Sequence, residues 1–551
     1  MNDAILSGEA VEGGNAGYSK RKWTLGLLSI ALIIIGLDMT VLNVAIPTLQ
    51  SSLDASASGL QWIVNAYILV FAGTLLTMGS LGDRLGRRLA FQAGLAIFGL
   101  ASVGAALSDS TVQLIIARAA QGIGGALIMP STLSVIVDVF PREERAKAIG
   151  IWAGVAAIGI PGGMIAGDWL LQNFFWGSVF LLNLPVVALA LIGSFFLVPE
   201  SRDENAKGTD VIGAVISMIA LSALVFTIIE APEQGWLAAA TLGGFALAAA
   251  TGALFAWYEL RIENPMVDLR LFRNVRLSAS IGSIGISFMT MLGVMFMLTQ
   301  YLQFVQGYSP LDTGIRLVPM ALGFMVGAPT SALLVAKLNA RTVITGGLVL
   351  VAASTAAMAM LDIETAYWIT GSLIFTMGLG MANTMAPATD AVMAAVPEAQ
   401  AGVGSALNDT VRQVGSALGV GIFGSILSSI YSSSMSDAVS GLGEGAAAAA
   451  SNSIGAALQV ADSLGESAGG AAAGELARAS RQAFIDGTSV VYLVAGVVAV
   501  VGTVLVWRFM PSKDVVAGTA EVAGGTIAVD MPPAASAGAG ELAAVTARID
   551  R

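Results

Sequence analysis

Five ionisable residues interrupt long apolar stretches of this chain: Asp38, Arg118, Asp390, Asp409 and Arg412. A charge in hydrocarbon costs ~2.5–3.5 kcal/mol on insertion scales, so each is a functional candidate by default. A carboxylate can load and release a proton. Apolar surroundings make it hold that proton more tightly, and a neighbouring cation loosens it. Asp38 is the first candidate carrier; the plainer reading is a structural ion pair with Arg118. Arginine stays charged and so tunes a neighbour rather than carrying the proton itself. Arg118 stands in Arg118-Ala-Ala-Gln121-Gly122, where the small residues allow close helix packing. Asp409 and Arg412 are three residues apart and can meet on one helix face. They are either a local pair or a group serving coupling or cation binding. Asp390 lies nearer a membrane boundary. Trp62, Tyr67 and the 22 methionines are candidates to line a lipophilic site, although lipid or core packing explains any single one as well.

Two absences narrow the chemistry. With no histidine and no cysteine, catalytic triads containing histidine, thiolate nucleophiles, disulfides and cysteine metal sites are excluded. Proton chemistry must use carboxylates. No Gly-Lys dipeptide occurs, so no Walker A loop points to ATP. No cofactor and no metal are expected. One loop is unusually dense: Gly79-Ser80-Leu81-Gly82-Asp83-Arg84-Leu85-Gly86-Arg87-Arg88. Orientation alone explains its Arg84, Arg87 and Arg88. Asp83 between glycines is different, because a carboxylate there can cap a neighbouring helix N-terminus or pair with an arginine. A bond made in one state and broken in another is a gate.

The elements that hold these residues follow from composition. Of 551 residues, 56% are hydrophobic and only 11% charged. No soluble fold of this size hides so much apolar surface, so lipid is the solvent for most of the chain. Fourteen runs reach the roughly 20 residues that a span needs: 23–46, 60–80, 89–107, 111–138, 147–171, 177–198, 210–230, 236–258, 277–305, 313–336, 342–361, 367–394, 402–430 and 486–510. They do not alternate apolar with polar residues, so helices rather than a barrel are expected. With the N-terminus inside, 21 of the 26 lysines and arginines fall on inside segments, as the positive-inside rule requires. Most of the net charge of −11 then lies outside. Both termini are expected in the cytoplasm, and the first run is read as a retained helix rather than a signal peptide. The segment 431–485 is either an amphipathic helical hairpin or a flexible loop. The tail 511–551 reads as disordered.

At these residues the chain resembles the major facilitator superfamily, and more closely its fourteen-helix drug/proton antiporters, over about residues 20–510. Leu37-Asp38-Met39-Thr40-Val41-Leu42-Asn43-Val44-Ala45-Ile46-Pro47 is similar to that branch's first-helix motif, which brings in Asn43. The Gly79–Arg88 loop resembles the superfamily's gating motif, and Arg118-x-x-Gln121-Gly122 its proton-coupling motif. The fifth-helix antiporter motif departs from the pattern: Gly159 precedes Gly163-Met164-Ile165-Ala166-Gly167-Asp168. Met164 stands where the family has proline and Asp168 where it has the last glycine. The bend that a proline gives is then displaced toward Pro161, and Asp168 adds a carboxylate to the outer pathway. Asn65 and Phe324 stand where quaternary-ammonium exporters carry acids.

The resemblance implies an all-α polytopic membrane protein. A cytoplasmic N-terminal tail (1–22) leads into one six-helix bundle (23–200). Two inserted helices (210–258) and a second bundle (277–510) follow. It also implies a proton-coupled exporter of lipophilic, cationic drugs or biocides in the cytoplasmic (inner) membrane. Its partners would be small molecules, protons and the bilayer, with no nucleic acid and a monomer expected. The alternative is a dedicated exporter of one endogenous metabolite or antibiotic; a non-transporting sensor or scaffold has no need of buried charges.

Overall fold

The computed structural model describes residues 18–511 apart from 54, 56, 203–209, 264, 398–399 and 468–469. The terminal tails expected at 1–22 and 511–551 therefore lie almost entirely outside the described residues. Among the described residues there are helices and no strands. In the first half they are α1 (Arg21–Ser52), α2 (Ala57–Leu85), α3 (Arg87–Ala106), α4 (Thr111–Val139), α5 (Arg142–Ala157), α6 (Gly159–Asn173), α7 (Ser178–Leu181) and α8 (Asn183–Leu197). Next come α9 (Val211–Gln234) and α10 (Ala239–Glu259). The second half holds α11 (Val275–Gln300), α12 (Pro310–Leu338), α13 (Ala340–Met358), α14 (Tyr367–Ala395), α15 (Ala401–Met435), α16 (Glu444–Asn452), α17 (Ile454–Ser467) and α18 (Gly470–Phe509).

Thirteen helical stretches among the described residues are long and apolar enough to cross a membrane, with α5–α6 and α7–α8 each forming one. The fourteenth run of the sequence is α14. At 29 residues it is long enough, but it carries Thr370, Asn383, Thr384 and Thr389. These polar groups are buried against other helices instead of facing lipid, so low hydropathy here marks a central helix. The lipid-facing extreme is α10, with only 11% of its span window buried against 83% in α4.

Helices α1–α8 enclose one core, with Leu28, Phe71, Phe91, Phe98 and Ile128 at its centre. Helices α11–α18 enclose another around Leu298, Tyr301, Met377, Met381 and Phe423. In lipid no hydrophobic effect drives helices together, so close van der Waals packing must do so. At the α11–α15 crossing a Cβ on Gly293 would meet the Gly419 carbonyl oxygen at 2.8 Å, and one on Gly419 would meet the Met289 carbonyl carbon at 2.9 Å. We expect Gly419→Leu to abolish a monodisperse gel-filtration peak in detergent, since overpacking costs ~1–3 kcal/mol or more. Gly424→Leu on the same helix, where nothing lies within 4 Å, should leave the peak unchanged.

Helix α9 bridges the two halves. Trp62 of α2 stacks on Phe226 at 5.9 Å between centroids, Gln61 bonds Glu233, and Trp236 just beyond α9 donates to Ser425 Oγ of α15 at 2.9 Å. Within 431–485 the described residues form the end of α15, then α16, α17 and the start of α18, with turns at 436–442. Ile454, Ala457, Ala461 and Leu476 join the second core beside Met435 and Phe484. Arg481 Nε donates to the Phe304 carbonyl at 3.1 Å.

Candidate functional site

The α2–α3 turn at Gly86 and the start of α5 at Arg142 share one end of the molecule, here the basic face. The other end carries the α3–α4 connection at 107–110 and is the opposite face.

Asp38 lies on α1 roughly 25 Å from the helix start at 1.5 Å per residue, in the half nearer the opposite face. It is 3% exposed. Arg118 Nη1 donates to its Oδ2. Its Oδ1 accepts from Gln121 Nε2 at 3.2 Å and Asn183 Nδ2 at 2.9 Å. Both amides also reach Ser102 Oγ, at 2.9 and 3.3 Å. Arg118 and Gln121 are one turn apart on α4, so a single helix face presents both, and Arg118 Nη1 also donates to Gln121 Oε1 at 2.7 Å. Arg118 Nε donates to the Ile63 carbonyl at 3.3 Å. Its guanidinium lies 4.6 Å from the Tyr67 ring centroid and 6.0 Å from that of Phe180. Tyr67 is thus part of the seat of Arg118. Sequence reasoning missed Ser102 and Asn183. The available signal was an asparagine in Leu182-Asn183-Leu184-Pro185.

Gly159, Gly163 and Gly167 recur every four residues and form one face of α6 against α1. Cβ atoms there would meet Gly36 Cα at 3.0 Å, Leu37 O at 2.8 Å and Val41 Cα at 3.4 Å. They let α6 press on the α1 backbone beside Asp38. Pro161 has no N–H to donate to the Ala157 carbonyl, and the helix breaks at Ile158 between α5 and α6. The bend therefore lies upstream of Met164. Asp168 accepts from Gln172 at 2.7 Å, outside the Asp38 cluster.

On the basic face Asp83 spans the two halves. Its Oδ1 accepts from Gly402 N at 2.8 Å and its Oδ2 from Val403 N at 3.0 Å. These are orphan donors in the first turn of α15, whose own N-cap, Gln400, supplies no side-chain bond. The positive end of the helix dipole adds to the attraction. Arg87 Nε donates to Asp83 Oδ1 at 3.1 Å, and Arg87 also pairs with Asp138 at 3.8 Å and Ser201 Oγ at 3.0 Å. Gly86, the single residue between α2 and α3, has φ 114°, which a residue with a Cβ adopts only under strain. Arg88 pairs with Glu200 at 3.4 Å, and Arg84 is half-buried. A Cβ on Gly79 would meet Ala406 Cβ at 2.6 Å.

A second buried ion pair lies in the other half, nearer the basic face. Arg412 Nη1 donates to Asp409 Oδ1 at 3.3 Å, and Asn408 Nδ2 donates to the same oxygen at 3.3 Å. Arg412 Nη2 reaches Thr389 Oγ1 at 3.4 Å, and Thr389 Oγ1 donates to Asn408 Oδ1 at 3.2 Å. Asp390 is half-buried on α14, next to Thr389. Trp62 faces α9, and Asn65 is half-buried on α2. The side chain of Asn43 lies outside the described residues.

Two helical halves, a buried ion pair in each and a clasp joining them on one face are the architecture of a multi-pass membrane transporter. The chain belongs to the Major Facilitator Superfamily, whose family model matches residues 28–420. It is 36% identical to the tetracenomycin C resistance and export protein of Streptomyces glaucescens, over 75% of this chain and 77% of that one. It is 35% identical to the multidrug resistance protein Stp of Mycobacterium tuberculosis (73% and 75%) and to the methyl viologen resistance protein SmvA of Salmonella typhimurium (74% and 83%). Among solved structures, its fold is similar to a bacterial homologue of the human lysosomal transporter Spinster in an inward-facing, unoccupied conformation (TM-score 0.53, 19% identity, 89% of this chain and 98% of that one). It is also similar to the human organic anion transporter MFSD10 (TM-score 0.54, 14% identity, 87% and 99%).

Proposed function

We propose that this chain is a proton-coupled exporter of lipophilic, cationic drugs or biocides, working without a cofactor and with no catalytic step beyond proton transfer. It sits in the cytoplasmic membrane as a monomer with the basic face and both termini inside. The observation that carries the reading is Asp38: a buried carboxylate with Arg118, Gln121 and Asn183 as donors, in a chain similar to resistance and export proteins. A proton from outside loads Asp38, weakens its pull on Arg118 and favours drug release. Loss of that proton to the cytoplasm restores the pair and resets binding. In a one-for-one exchange with a monovalent cation no net charge moves, so the pH difference is the drive: each unit supplies ~1.4 kcal/mol, enough for about tenfold accumulation.

Inverted vesicles with an imposed pH gradient test the reading. Ethidium uptake should follow the gradient and stop when an uncoupler collapses it; uptake that survives the collapse rules out proton coupling. Relatives named for single antibiotics support a second reading, a dedicated exporter. Competition among unrelated dyes favours the multidrug reading, and indifference to all of them the dedicated one.

A further inference from the structure

The two buried ion pairs differ in one respect that bears on substrate. Both oxygens of Asp38 are occupied, and Arg118 rests on Tyr67 and Phe180 of its own half. Asp409 is 0% exposed, yet its Oδ2 is buried without a hydrogen-bond partner among the described residues. Ser405, one turn earlier on α15, is the side chain beside that carboxylate, and Arg412 Nε is also buried without a hydrogen-bond partner among the described residues. The guanidinium of Arg412 lies 5.3 Å from the Trp152 ring centroid and 5.2 Å from that of Phe288, both within reach of a cation–π attraction. Trp152 belongs to α5 in the first half and is 1% exposed; Phe288 belongs to α11 in the second. Trp152 Nε1 donates to Thr132 Oγ1 at 3.1 Å, which fixes the ring. A buried carboxylate that leans only on side chains of its own helix, beside aromatic faces from both halves, makes a receptor for a delocalised cation, and Arg412 is the cation now in it.

Resting on the efflux reading, we infer that Trp152, Phe288 and Asp409 form the binding box for flat aromatic cations, and that Arg412 is a tethered occupant which such a substrate displaces. Guanidinium suits this part because it is planar, weakly hydrated and always charged. Separation of the halves on the basic face draws Trp152 away from Arg412 and opens the box to an incoming cation. Return of Arg412 to the carboxylate after release keeps Asp409 from standing as an uncompensated buried charge, a state that costs several kcal/mol.

The test is ethidium binding by fluorescence polarisation to the purified chain in nanodiscs. Removing the tethered occupant should tighten binding: Arg412→Ala, and Arg412→Gln, which keeps a hydrogen-bond donor, are each expected to lower Kd about tenfold. Asp409→Asn should erase that gain. In the otherwise wild-type chain Trp152→Leu should weaken ethidium about tenfold and Trp152→Phe much less, an arm that needs no Arg412 variant to fold. Folded Arg412 variants that bind ethidium no better than wild type, or equal binding by Trp152→Leu and Trp152→Phe, overturn the inference. Gradient-driven export with binding indifferent to these variants overturns the box and leaves the efflux reading standing. Binding that follows the variants without any export does the reverse.

Discussion

Asp38→Asn is expected to abolish gradient-driven ethidium uptake into inverted vesicles, down to the level of vesicles without the protein, while leaving the chain folded. Asparagine keeps the size of aspartate but cannot take up or release a proton. It loses only the bond from Gln121 Nε2, which keeps Ser102 Oγ as an acceptor, and retains the others after one local adjustment. Asn183 Oδ1 is buried with no partner, so a turn of the Asn183 amide about its axis presents an acceptor to the new side-chain N–H. The remaining oxygen still accepts from Arg118. The same turn serves a protonated Asp38, whose O–H also needs an acceptor. The variant therefore resembles the proton-loaded state held permanently. Downhill exchange of labelled for unlabelled dye, which needs no net proton movement, should persist. Arg118→Ala is a harsher change. It leaves Asp38 as an unpaired buried carboxylate, at ~3–5 kcal/mol, so loss of folded protein is expected there. If Asp38→Asn retains uptake that follows the gradient, the proton is carried elsewhere.

The Asp38–Arg118 pair was legible in the sequence because charges in apolar runs are too costly to be incidental. Serine and asparagine carry a smaller penalty, so Ser102 and Asn183 merged into helices that are otherwise good spans. Tyr67 stood out as an aromatic, but nothing local told that its ring faces Arg118. The helical pattern fixes which residues share a face, and that was enough to align Asp409 with Arg412. It says nothing about which helix meets that face. The Arg412–Trp152 contact joins residues 260 positions apart in different halves, and no periodicity reports it. Asp83 is intermediate. Its glycine-flanked place in a basic loop marked it as a capping carboxylate, while its partner, the start of α15, came only from tertiary structure. The helical state of 431–485 was undecided because Ala- and Gly-rich stretches have the spacing but little of the apolar bulk that packing rewards. Docking on Phe304 and Tyr431 supplies what local propensity lacks.

Asp83→Ala is expected to shift the chain toward a state open on the basic face by about two orders of magnitude. Asp83 gives α15 two charge-assisted hydrogen bonds that exist only while α2 and α15 are together. Hydrogen bonds to charged groups contribute ~1.5–3 kcal/mol each. Losing both removes roughly 3 kcal/mol or more from the closed state alone, and every 1.4 kcal/mol is tenfold in population. Arg87 keeps Asp138 and Ser201 as partners, so the variant does not strand a buried cation. Asp83→Asn retains one acceptor oxygen and should lie between, near tenfold. The chain contains no cysteine, so a single introduced thiol reports without background. Val403→Cys places one beside the clasp at a position 7% exposed. A membrane-permeant maleimide should label it slowly with Asp83 present, about a hundredfold faster with alanine there, and at an intermediate rate with asparagine. Salt should change these rates little, because the bonds are buried and barely screened. Transport should fall in the same order, since a carrier that rests open on the basic face seldom presents its cargo on the opposite one. Equal labelling rates in all three backgrounds would mean that the closed state is held by the packing of Gly79 on Gly402, with Asp83 serving α15 only as a cap.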